Sequence, residues 1–101
     1  MSDAAIVWKR RRPLGGMAPE IFERSLRERL QGRVEGAYFF GSYASGALGP
    51  DSYVDLILVA RTEAPFTRRA ALFDDLYDLL PALDLLVYTP EEFAEITADP
   101  S

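Results

Sequence analysis

The sequence contains neither cysteine nor histidine. Without cysteine there is no disulfide framework and no thiolate metal site. Without histidine the commonest general base is missing, so any metal would be held by oxygen donors, which favour hard cations such as Mg²⁺. No apolar run approaches the roughly 20 residues that span a bilayer. The short apolar stretch "AAIVW" precedes the basic cluster Lys9, Arg10, Arg11 and Arg12, the reverse of a secretory leader. No membrane partner is therefore expected, and the cytoplasm is the default setting. Positive charge is also scarce outside that cluster. The net charge is −5, which leaves the rest of the chain at about −9. So acidic a body argues against non-specific binding to a nucleic-acid backbone, and the cluster itself reads as an exposed, solvated arm.

What is present is a 101-residue chain, about half hydrophobic. It is expected to form one domain that buries roughly 60–70% of its unfolded surface. Residues 1–17, ending in "PLGGM", read as an N-terminal arm with a short edge strand over residues 5–8, and residues 18–101 as the folded domain. In "APEIFERSLRERLQG", Pro19 suits a first helical turn, Phe22, Leu26 and Leu30 recur at i, i+4 and i+8, and Gly32 can close the helix. Residues 34–40 and 53–60 read as strands around the turn-rich "ASGALGPDS". Residues 67–80 read as one amphipathic helix with Leu72, Phe73, Leu76, Leu79 and Leu80 on its core side and Arg68 and Arg69 toward solvent. Pro81 ends it, and residues 83–88 form a third strand. "TPEEF" then opens a last helical turn, with Thr89 as cap and Glu92 at the capping-box position. Strands separated by helices predict an α/β fold, a small mixed sheet packed by helices. The stop just beyond "EEFAEI" is abrupt for an independent enzyme, so a missing or disordered C-terminal portion is expected.

Two acids stand inside otherwise apolar strands: Asp55 in "YVDLILV" and Asp84 in "LDLLVY". Alternation puts Tyr53, Asp55, Ile57 and Val59 on one face, and Asp84, Leu86 and Tyr88 on a common face of the third strand. An unpaired buried carboxylate costs several kcal/mol, so each acid needs a partner or an open edge. If the strands are neighbours, one divalent cation satisfies both. Upstream, "FFGSYASG" runs a strand into Gly41 and Ser42. Gly41 allows close approach of a phosphate and Ser42 can donate to it. A Gly-Ser turn alone is usually only a turn; with the strand acids downstream it becomes far more specific.

"GSYASGALGPDSYVDLILV" followed by "LDLLVYTPEEF" resembles the signature of minimal nucleotidyltransferases of the DNA polymerase beta superfamily, over roughly residues 22–93. The resemblance implies transfer of a nucleoside monophosphate from a nucleoside triphosphate, ATP first among them, to a protein or small-molecule acceptor with Mg²⁺. It implies phosphate binding at Gly41 and Ser42 and metal binding and catalysis at Asp55 and Asp84. It also brings an association with helical partner proteins in toxin–antitoxin pairs. Two positions depart from the pattern. Tyr53 stands where the first acid of the Asp-x-Asp pair belongs, and Ser45 where relatives carry a basic residue. Asp51, in the Pro-Asp-Ser turn, reads as a plain turn acid. Tyr53 is open to three readings: a filled-in catalytic slot, a substituted ligand, or an acceptor for self-nucleotidylation. The expectation is an impaired nucleotidyltransferase; the alternative is a non-catalytic nucleotide-binding or interaction module.

Overall fold

The computed structural model describes residues 13–46, 48–49 and 52–98. The expected strand at residues 5–8, the basic cluster and Asp51 lie outside the described residues. A 3-10 turn at Pro13–Gly16 leads into helix α1 (Pro19–Leu30). Pro19 occupies its start, Gly32 follows its end with φ +79°, and Phe22, Leu26 and Leu30 are its buried stripe. Strand β1 (Gly36–Phe40), the short helix α2 (Gly41–Ser45) and strand β2 (Val54–Val59) follow. A second 3-10 segment (Phe66–Phe73) and helix α3 (Asp75–Leu79) then cross to strand β3 (Leu83–Tyr88). Helix α4 (Pro90–Thr97) comes last.

The sheet order is β1-β2-β3, with β1 antiparallel and β3 parallel to the central β2. This is the small mixed sheet that alternating strands and helices predict. One face carries Val54, Leu56 and Leu58 of β2 beside Leu83, Leu85 and Val87 of β3, against Phe22, Leu26, Phe73 and Leu76. Each such side chain withdrawn from water contributes about 1.5–3 kcal/mol, so this face sets the register of the sheet. The opposite face carries the two acids. Leu14, inside the expected arm, is buried in the core, and Met17 packs against it.

Two expectations for residues 67–80 are corrected. The segment is not one α-helix: it is 3-10 up to Phe73 and α-helical only from Asp75. Arg33 of the α1–β1 turn donates to the Leu72 carbonyl at 3.1 Å, and Arg29 to that of Asp75 at 2.6 Å. Those carbonyls are drawn toward α1 where the continuous helix would pass. In the tighter 3-10 winding residues three apart align, so Ala70, Phe73 and Leu76 face the core while Leu72 is 52% exposed. The second correction is Arg69, which does not face solvent but is 7% exposed. Its guanidinium donates to the Ala64 carbonyl (2.8 Å), the Val87 carbonyl (3.2 Å) and both oxygens of Glu92. A buried cation is tolerated when its donors are met by acceptors and a counter-charge.

Candidate functional site

Glu92 has a double role at the start of α4. Its backbone N–H donates to the Thr89 hydroxyl at 3.2 Å, and its carboxylate accepts from the Thr89 N–H at 2.9 Å, the reciprocal capping box read from "TPEE". The same carboxylate meets Arg69. That guanidinium first, and then the Thr89 N–H, push the Glu92 carboxyl down to about 2. The crossover is thereby fastened to α4, and α4 to the acid-bearing side of the sheet. There Phe93 stacks on Tyr38 of β1, ring centroids 4.9 Å apart and 15° from parallel.

Along that side the strands bring together two of the residues singled out in the sequence. Asp55 and Asp84 are direct partners in the parallel β2–β3 register, and Phe40 is the partner of Asp55 across β1–β2. Side chains of facing residues project from the same face, so the two carboxylates stand in neighbouring strands about 4.8 Å apart. Asp55 is half-buried and Asp84 exposed. Among the described residues neither has a basic partner. Like charges carried side by side on neighbouring strands repel one another. A cation between them removes that cost.

Gly41 follows Phe40 directly. Its φ is +68°, and a Cβ built on it would collide with Oδ2 of Asp55. Only glycine allows the backbone to lie against the carboxylate in this conformation. Ser42 is half-buried in the first turn of α2, and its carbonyl accepts the Ser45 hydroxyl at 3.2 Å. Ser45 therefore closes α2 and presents no positive charge. Tyr43 packs on Phe22 and Phe39 and donates its hydroxyl to Glu23. Burial first, and then the Glu23 carboxylate, raise the Tyr43 phenol well above its ordinary value. Tyr77 is also raised, by burial and by the charges of Asp84 and Asp74. Both tyrosines pack against the core.

Tyr53 immediately precedes β2 and is 59% exposed. A tyrosine at this position supplies no carboxylate oxygen. Among the described residues no three of His, Cys, Asp and Glu cluster as metal ligands. Among the described residues the acids in the strands on this side of the sheet are Asp55 and Asp84, with Tyr53 just ahead of β2. The sequence marked Asp55, Asp84 and Gly41, which the structure places close together, but not the burial of Arg69, because nothing local ties Arg69 to Glu92, 23 residues on.

A family model described as a nucleotidyltransferase domain matches residues 20–99. That span contains β1, α2, both acid-bearing strands and α4. No curated protein matches the chain. No helix among the described residues is long and apolar enough to cross a membrane.

Proposed function

From the premise that the chain belongs to the nucleotidyltransferase domain family, we propose that it binds a nucleoside triphosphate, ATP first among them, beside Gly41 and Ser42. It transfers the nucleoside monophosphate to a hydroxyl of a protein or small molecule, using Mg²⁺, and does so weakly because Tyr53 occupies an acid's position. The observation that carries this reading is the Asp55–Asp84 register pair with Gly41 against the Asp55 carboxylate.

Each residue then has a task. Asp55 and Asp84 would hold a Mg²⁺ ion, which when bound would neutralise triphosphate charge and favour displacement at phosphorus. Gly41 lets the backbone approach the phosphates, and the Ser42 hydroxyl donates to them. The acceptor oxygen forms a bond to the α-phosphorus while the α–β bridging P–O bond breaks and pyrophosphate leaves. Exposed Asp84 takes the acceptor's proton. With a tyrosine at position 53, a second cation would lack a carboxylate ligand there.

A second reading has its own support. Tyr53, exposed at an acid's position, fits a non-catalytic nucleotide-binding or interaction module as well. A helical protein, as in toxin–antitoxin pairs, would then be its partner. One experiment separates the two: incubation with labelled ATP, Mg²⁺ and candidate acceptors, with a Tyr53→Asp variant in parallel. Transfer by the chain itself supports the enzyme, and transfer by Tyr53→Asp alone shows a competent scaffold lacking one ligand. If neither transfers label nor binds nucleotide in a Mg²⁺-dependent way, the enzymatic reading is wrong and the interaction module stands.

A further inference from the structure

The register lays out the acid-bearing face of the sheet in three rows that run across the strands. The first row is Phe40, Asp55 and Asp84, the second Tyr38, Ile57 and Leu86, and the third Gly36, Val59 and Tyr88. Residues two apart along a strand stand about 7 Å apart, so the second row begins that far from the carboxylates. Cover changes from row to row. Val59 in the third row is buried, whereas Ile57 and Leu86 in the second are half-buried and Tyr38 is 48% exposed. Beside the two acids, then, lies an apolar shelf on the side of the sheet away from the core.

The back of this shelf is fixed by α4. Phe93 follows Glu92, its N–H donates to the Thr89 carbonyl at 2.9 Å, and its ring stacks on that of Tyr38. A Cβ at Gly36 would lie 3.0 Å from the Tyr38 hydroxyl oxygen. The Tyr38 ring thus leans toward the third row, away from Asp55, and with Phe93 forms the rear wall.

We propose that this shelf is a nucleobase subsite: the base of a purine nucleoside triphosphate lies on Ile57 and Leu86, with its edge toward Tyr38 and Phe93. This rests on the reading that Gly41, Ser42 and the two carboxylates take the triphosphate. Along β1 the chain passes the third row, the second and the first, and then runs directly into Gly41. Phosphate turn, carboxylates and apolar shelf therefore stand in line. A nucleoside triphosphate has the same order of polarity, from phosphates through ribose to base. With the α-phosphate beside the carboxylates, the ribose carries the base onward by about one row spacing, or roughly 7 Å. A base has flat, weakly polar faces, and burying one against aliphatic and aromatic side chains is favourable. A purine covers more of the shelf than a pyrimidine and so gains more.

The test uses the full chain with ATP, CTP and inorganic tripolyphosphate as ligands at one Mg²⁺ concentration. ATP should bind about tenfold or more tighter than tripolyphosphate, the increment of one stacked base, with CTP between them. Protons of the bound adenine should show nuclear Overhauser contacts to the methyl groups of Ile57 and Leu86. Leu86→Ala should cost about fivefold or more in ATP affinity and leave tripolyphosphate affinity within about twofold, which also shows that the variant is folded. Equal affinities of the native chain for ATP and tripolyphosphate would overturn the base subsite and leave the phosphate and metal reading standing. Adenine contacts confined to other methyl groups would do the same. If neither ligand binds in a Mg²⁺-dependent way, the nucleotide reading itself fails and the base subsite falls with it.

Discussion

Asp55 and Asp84 face each other across the parallel β2–β3 register, with no basic residue beside either among the described residues. Two carboxylates held side by side by a sheet register fixed by the core repel in the absence of a cation and become an asset in its presence. Asp84→Asn should therefore stabilise the cation-free protein, by about 0.5–1 kcal/mol given its exposure. The same change should abolish any stabilisation by added Mg²⁺. Thermal unfolding with and without Mg²⁺ measures both. A variant less stable than the parent, with its Mg²⁺ response intact, contradicts the shared site.

Gly41 is fixed by conformation and by contact. Gly41→Ala places a Cβ at positive φ and against the Asp55 carboxylate. The expected loss is about 1–2 kcal/mol in denaturant unfolding, together with loss of nucleotide binding. Gly46→Ala provides the control. It also has positive φ, but a Cβ there meets nothing within 4 Å, so it should destabilise while leaving nucleotide binding in place.

Arg69 fastens the crossover to β3 and α4. Arg69→Met strands the Glu92 carboxylate and withdraws donors from the Ala64 and Val87 carbonyls. A loss of about 2–3 kcal/mol is expected, as for buried hydrogen bonds involving a charged group. Arg68→Met, at an exposed neighbour, should fall within about 0.5 kcal/mol of the parent. Equal effects of the two changes would contradict the role of Arg69.

The Glu92–Arg69 contact also sets a pH dependence. The Glu92 carboxyl lies at about 2 in the folded protein, against an ordinary value of 4.5. Protons therefore bind the unfolded chain more readily between those values. The contribution of Glu92 is fully present above about 4.5 and is lost as pH falls from there toward 2. Glu92→Gln should be less stable than the parent at neutral pH, and the difference should shrink through that window. Urea midpoints across pH 2–7 measure it; a difference independent of pH would exclude this linkage.

The faces of the two acids and the turn at Gly41 were legible in the sequence; their meeting was not. Alternation alone assigned Asp55 to the face opposite Leu56 and Leu58, and burial follows that division. The Thr89–Glu92 box was readable because its two hydrogen bonds close within four residues. Gly41 was marked by its place between an aromatic strand and Ser42. The helix over residues 67–80 misled, because its apolar spacing fits an α-helix while arginines from α1 and its following turn claim carbonyls within it. Arg69 read as solvent-facing because charged side chains usually are. Its acceptors come from three separate parts of the chain.

The sequence by itself determined what the dihedral preferences and solubilities of neighbouring residues can specify. These are the strands, the face each acid takes, the caps, the glycine turn, and a chemistry restricted to oxygen ligands. Only the tertiary structure decided that β3 lies parallel beside β2 in the register that aligns Asp84 with Asp55. It alone decided that Arg69 is buried against Glu92. A slip of one residue would turn every side chain of β3 to the other face. What forbids it is the combined burial of Leu83, Leu85 and Val87 against α1 and the helical crossover between β2 and β3, an energy that no local stretch of sequence contains.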